Sequence, residues 1–176
     1  MEYPKRKNIR LPDYDYSRNG AYFVTICTQN RERLFPFVGA APCGRPSPAR
    51  EIAERWIEKL PEKFPCVFLG NSVVMPNHVH LLLLFDDWEA GGHAGPPLHG
   101  VLDWYKTMTT NAYMKGVRCG ILPPFQKRLW QRGYYEHVIR GPQDYLDTWS
   151  YIDQNPARWA EDEYYPEERN ETHGLF

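Results

Sequence analysis

Residues Val79–Phe85 read VHLLLLF. The run is far too short to cross a bilayer, which takes about 20 apolar residues. It is also apolar at both alternating positions, whereas a strand with one wet face alternates apolar and polar residues. A central strand, covered on both faces, satisfies both constraints, so the chain must supply neighbouring strands and covering helices around it.

The rest of the sequence supplies them in order. Asn19-Gly20 is a turn signal, and Ala21–Gln29 (AYFVTICTQ) is rich in β-branched and aromatic residues, which predicts a first strand. After a loop at 39–48, Ser47 is suited to cap a helix with Pro48 at its first position. Ile52, Trp56, Leu60 and Phe64 then recur at i, i+4, predicting a helix that ends near Pro65. Cys66–Met75 and Val79–Phe85 read as two strands around Pro76-Asn77, and residues 86–97 as a loop. Val101, Leu102, Tyr105, Met108, Ala112 and Tyr113 give a second helix from Leu98 to about Gly116. Tyr134–Arg140 is a fourth strand. Gly141-Pro142 opens a third helix with Tyr145, Trp149 and Ile152 on one face, and Asn155-Pro156 closes it.

The order β-α-β-β-α-β plus a final helix predicts an α+β fold, the ferredoxin-like or RRM-like split arrangement with an antiparallel sheet. At 176 residues the chain has room for about one domain. Residues 1–160 are expected to form it, with a basic arm over 1–19, and 161–176 (EDEYYPEERNETHGLF) to form a loosely packed acidic tail. Cys27, Cys43, Cys66 and Cys119 contain no CxxC pair, so free thiols are expected. The basic N-terminus lacks the apolar stretch of a signal peptide, and a soluble cytoplasmic protein is the expectation.

Three groups of residues could carry chemistry. In His78-Val79-His80 the histidines share one strand face, a spacing that can present two imidazoles to a divalent ion or simply satisfy two rings by backbone hydrogen bonds. In the third helix, Tyr151 and Asn155 lie one turn apart, beside the Tyr145/Trp149/Ile152 stripe. Residues 101–140 hold seven basic side chains against Asp103 and Glu136, interleaved with aromatics. Cations for phosphates and rings for bases suit single-stranded nucleic acid. The overall charge of −1 hides this, because six of the 22 acids fall in the tail against Arg169 alone.

VVMPNHVHLLL (Val73–Leu83), WQRGYYEHVIR (Trp130–Arg140) and YIDQNPARW (Tyr151–Trp159), in that order, resemble the REP-associated tyrosine transposases of the HUH single-strand transposase superfamily. YFVTICTQNRERLF (Tyr22–Phe35) and WYKTMTTNAY (Trp104–Tyr113) are similar to the same family, so the resemblance spans most of 20–160. It implies that His78 and His80 are the HUH histidines and Asn155 the third ligand of Mg²⁺ or Mn²⁺. It implies Tyr151 as the nucleophile that forms a 5′-phosphotyrosine link. His137 matches a histidine of the second block, implying support of the active site or a further ligand.

The implied function is that of a metal-dependent single-stranded DNA endonuclease and strand-transferase acting at hairpin or palindromic repeats, as a monomer or homodimer. Charge and aromatic placement nominate Lys106, Lys127, Arg128, Trp130 and Arg132 for DNA contacts. A domesticated, inactive DNA-binding protein on the same fold is the alternative. A 2H-type RNA phosphoesterase would need a second HxT or HxS motif, which the sequence lacks, and an RRM-type module would want aromatics where His78 and His80 stand.

Overall fold

The computed structural model describes residues 20–38, 45–85 and 98–165. The basic arm 1–19, most of the loop at 39–48, the loop at 86–97 and the tail from 166 lie outside the described residues. In chain order the elements are β1 (Gly20–Cys27), β2 (Phe37–Val38), β3 (Arg45–Pro46), α1 (Pro48–Glu58), α2 (Leu60–Lys63), β4 (Val67–Val74), β5 (His78–Phe85), α3 (Leu98–Arg118), β6 (Tyr135–Val138) and α4 (Pro142–Gln154). Short 3-10 turns at Gln29–Arg31 and Trp159–Glu161 complete them.

The main sheet runs β4-β5-β1-β6, and its neighbouring strands are antiparallel. The expected α+β, ferredoxin-like arrangement is therefore observed. The two strands that follow the longest apolar signals, β1 and β5, are the central pair. On one face, Tyr22, Val24, Ile26, Val79, Leu81 and Leu83 are buried in the core formed with α1 and α3. Alternation sends Phe23, Thr25, Cys27, His78, His80 and Leu82 to the opposite face, which α4 crosses.

Local chemistry explains the helix ends. Ser47 caps α1, its Oγ accepting from the Arg50 backbone N–H at 3.2 Å, with Pro48 behind it. The single helix expected to reach Pro65 is divided at Lys59 into α1 and α2. Pro61 explains the break: it has no N–H for the carbonyl four residues back, and its ring crowds that carbonyl. The small β2-β3 pair was not foreseen.

Two glycines border α4. Gly141 has φ +136°, so the chain can turn sharply from β6 into the helix where a side chain would be strained. Gly70 lies at a bulge in β4 between Leu69 and Asn71. A Cβ there would meet the Tyr145 hydroxyl at 2.8 Å, so a side chain at this position would make the Tyr145 ring shift. The expected Tyr145/Trp149/Ile152 stripe is rotated: Thr148, Ile152 and Asn155 are buried, and Trp149 stays exposed.

Candidate metal centre and nucleophile

His78 and His80 open β5 on the α4 face, and both are buried. Their Nε2 atoms are 2.9 Å apart. Each ring is held from behind: His78 Nδ1 donates to Asn77 Oδ1 at 2.9 Å, and His80 Nδ1 lies 2.9 Å from Thr25 Oγ1. Burial drives both pKa values down from 6.5, His78 to about 2 with help from His80 and Arg31, and His80 to about 3. Both rings are thus neutral near pH 7, the form that binds metals.

The third member of the group comes from the region expected to be a loose tail. Part of this segment packs against the site: the Asp162 side chain is 1% exposed, its Oδ2 lies 3.9 Å from His78 Nε2, and Asn155 Nδ2 donates to that same oxygen at 2.9 Å. The Tyr164 backbone N–H donates to Asp162 Oδ1 at 2.6 Å. Trp159 and Tyr164 lie against His78, with ring centroids 5.9 and 4.7 Å away. Arg31 and Arg33 cover Tyr164 and Tyr165 at 4.9 and 5.0 Å, pinning the segment from outside.

The ligating atoms of His78, His80 and Asp162 all lie within 4.8 Å of one another, a group that could hold a metal ion. The donors fit a hard or borderline divalent ion. Cis ligands of an octahedral ion at about 2.1 Å are about 3 Å apart, which matches the separation of the two imidazole nitrogens. Asn155 Oδ1 is buried with no hydrogen-bond partner among the described residues, a further oxygen left for a cation. Cys27 lies opposite His78 in register, and burial raises its thiol to about 11; the group that could hold an ion among the described residues is His78, His80 and Asp162.

Tyr151 is at the mouth of this site. Its ring centroid is 5.3 Å from that of His80 and 5.8 Å from that of Phe23, and the residue is 43% exposed. Tyr151, Asn155 and Asp162 line a cavity of about 420 Å³ with Arg158, Glu161 and Glu163. Burial first, then Asp162 and Glu163, raise the phenol above its ordinary pKa, and a contact with the Asn155 side chain acts against them. The phenol is therefore fully protonated near neutrality unless a positive charge is supplied.

His137 is placed differently. It stands across from Phe23 on β6, and its Nε2 bonds both carboxylate oxygens of Asp144 at 3.0 Å. Asp144 also accepts from the Arg140 backbone N–H at 2.8 Å, the main reason its pKa is lowered. The structure gives His137 the job of clamping the start of α4 to the sheet.

The five nominated DNA contacts line one groove of about 690 Å³ between α3 and the 125–132 loop, but in three different ways. Lys127, Arg128 and Arg132 are exposed. Lys106 instead spends its ammonium on the carbonyls of Gln131, Arg132 and Gly133 at 3.2, 3.2 and 3.1 Å, stapling the loop to α3. Trp130 is 4% exposed, stacks on Phe35 and donates to Thr109 Oγ1 at 2.8 Å. Its ring is core, not the stacking platform expected for a base.

No family model matches the sequence. The fold is REP-associated tyrosine transposase-like: the chain superposes on the REP-associated tyrosine transposase solved bound to a REP hairpin with a TM-score of 0.55 and 21% identity, over 90% of this chain and 74% of that one. An uncharacterized protein of Haemophilus influenzae is 31% identical over 169 residues, covering 91% of this chain and 93% of its own length. The chain belongs to the same family as that protein. No helix of the described residues is long and apolar enough to cross a membrane.

Proposed function

We propose that this protein is a divalent-metal-dependent single-strand DNA transposase that nicks and rejoins DNA at hairpin or palindromic repeats through a 5′-phosphotyrosine. The observation that carries this reading is the convergence on one sheet face of a half-exposed tyrosine and a buried His-His-Asp group, with the Tyr151 and His80 rings 5.3 Å apart. A REP hairpin bound to a protein of the same fold supports DNA as the substrate.

His78, His80 and Asp162 would hold the ion, with Asn155 Oδ1 as a further oxygen ligand. Mixed nitrogen and oxygen donors suit Mn²⁺, and Mg²⁺ by availability. When bound, the ion supplies Lewis-acid polarisation of a non-bridging oxygen of the scissile phosphate. Tyr151 Oη attacks phosphorus in line, its proton passing to water. The bond from phosphorus to the departing 3′ oxygen breaks, and that oxygen leaves as a 3′-OH after taking a proton. The phosphodiester is conserved as a phosphotyrosine, so a new 3′-OH can reverse the step and complete strand transfer. Lys127, Arg128 and Arg132 bind backbone phosphates along the groove, and Lys106 acts indirectly by fixing the loop that carries Arg132. His137 positions the helix that carries the nucleophile.

The test is incubation of the intact protein with labelled single-stranded hairpin DNA and Mn²⁺, followed by a denaturing gel. A DNA–protein adduct that disappears with EDTA is expected. Binding with no adduct across a set of genomic palindromes would instead identify a catalytically silent DNA-binding protein on the same fold.

A further inference from the structure

Asn77, in the turn before β5, is fully buried, and both ends of its amide are engaged. Its Nδ2 donates to the Tyr164 carbonyl at 2.8 Å and to the Arg31 carbonyl at 3.4 Å. Carbonyls only accept, so they fix the amide with Oδ1 turned toward His78. That oxygen in turn only accepts, which puts the His78 proton on Nδ1 and leaves the Nε2 lone pair facing the site. One side chain therefore sets the His78 tautomer and ties down the turn that presents Asp162.

His80 has a different kind of partner. The Thr25 hydroxyl can either donate or accept. If it accepts from His80 Nδ1–H, two Nε2 lone pairs face each other at 2.9 Å, a repulsive arrangement unless a cation joins them. If it donates to Nδ1, the His80 proton sits on Nε2 and is donated to His78 Nε2, and the 2.9 Å contact becomes an ordinary hydrogen bond. Asn77 allows His78 one state. Thr25 allows His80 two.

We infer that Asn77 is a positioning residue that locks His78 as a metal-facing donor and fixes the Asp162 turn beside it, while Thr25 lets His80 exchange tautomers between metal-free and metal-bound protein. The inference rests on the reading of the His-His-Asp group as a metal centre. The exchange is balanced: His80 gives up its Nε2 proton to water and takes one at Nδ1, with no net change in charge, as the Thr25 hydroxyl turns from donor to acceptor. In metal-free protein the His80–His78 contact is thus a hydrogen bond that a bound metal would displace.

Long-range ¹H–¹⁵N correlation spectra of histidine-labelled, metal-free protein test this directly. Wild type should show His78 protonated at Nδ1 and His80 at Nε2, and addition of diamagnetic Zn²⁺ should move the His80 proton to Nδ1. Asn77→Leu should admit the Nε2–H tautomer of His78 and weaken Mn²⁺ binding, followed by the EPR signal of the free ion, by about 10- to 100-fold. Asn77→Asp keeps an acceptor for Nδ1 but loses the donor to Tyr164. It should preserve the His78 tautomer, recover part of the Mn²⁺ affinity and report the folded state if the leucine variant fails to fold. An Nε2–H tautomer of His78 in wild type, or unchanged Mn²⁺ affinity in a folded Asn77→Leu, overturns the positioning role alone. Absence of Mn²⁺ binding by wild type overturns the metal centre and the inference with it.

Discussion

On one face of the sheet, Val79, Leu81 and Leu83 of β5 meet α1 and α3 in an apolar core; on the other, His78 and His80 of the same strand meet polar partners under α4 and the 159–165 segment. Both sets are buried, so exposure does not distinguish them. Their partners do. The apolar face is held by area removed from water and close packing. The polar face is held by hydrogen bonds that each depend on a particular partner, and it contains an Asn155 oxygen without a partner among the described residues and two nitrogens in close opposition. One strand supports both because its side chains alternate, and a register slip of one residue would put the imidazoles in the core.

The contrast can be broken most severely at Tyr151, the proposed nucleophile. Tyr151→Phe should cut adduct formation by ~10³-fold or more while hairpin affinity in a gel shift stays within about twofold, since the hydroxyl is needed only for the bond it forms. Next comes the apolar face: Leu81→Ala should cost ~2–5 kcal/mol in chemical denaturation through lost burial and the cavity left behind. His80→Leu, one residue away on the other face, should cost only ~1–3 kcal/mol, from the Thr25 and His78 groups it strands, and should abolish Mn²⁺ binding.

Acid acts on the polar face alone. The native pKa values of His78 and His80, about 2 and about 3, lie below the ordinary 6.5, so the unfolded chain takes up protons that the folded chain refuses. Their contribution is fully present above pH 6.5 and is lost as pH falls toward 3, at up to ~1.4 kcal/mol per pH unit for each ring. Urea melts between pH 7 and 4 should show this slope, and His80→Leu should reduce it by about half. The smallest effect belongs to the groove. Lys127→Ala and Arg128→Ala should each lower the slope of log affinity against log salt by about 0.7 to 0.9, with little dependence on DNA sequence.

Much of this could be read from the chain. The apolar run of β5, the Ser47-Pro48 cap and the Gly141-Pro142 start are local signals, and the structure agrees with them because each acts within a few residues. That Tyr151 and Asn155 lie near His78 and His80, more than 70 residues away, is not a local signal and was implied only by the resemblance of the motif blocks. What escaped depends on distant partners. Asp162 is one of several acids in a segment that reads as solvated, and only the aromatics around it, Trp159, Tyr164 and Tyr165, hinted that the segment packs. Lys106 looks like a free cation until its three carbonyl acceptors, 25 to 27 residues away, are in view. Trp130 sits among cations in sequence and beneath them in space. Asn77 reads as a turn residue, since neither of its carbonyl partners is near it in the chain.

The bulge at Gly70 has one more effect. The outer strands of the sheet are β4 and β6, and an open, regular edge invites another chain to add a strand. Here β4 breaks its register midway, and β6 offers only the four residues Tyr135–Val138. Neither edge is a long straight template, so growth of the sheet from copy to copy is discouraged at both ends. The irregularity at Gly70, beside α4, thus also makes that edge a poor template for another strand.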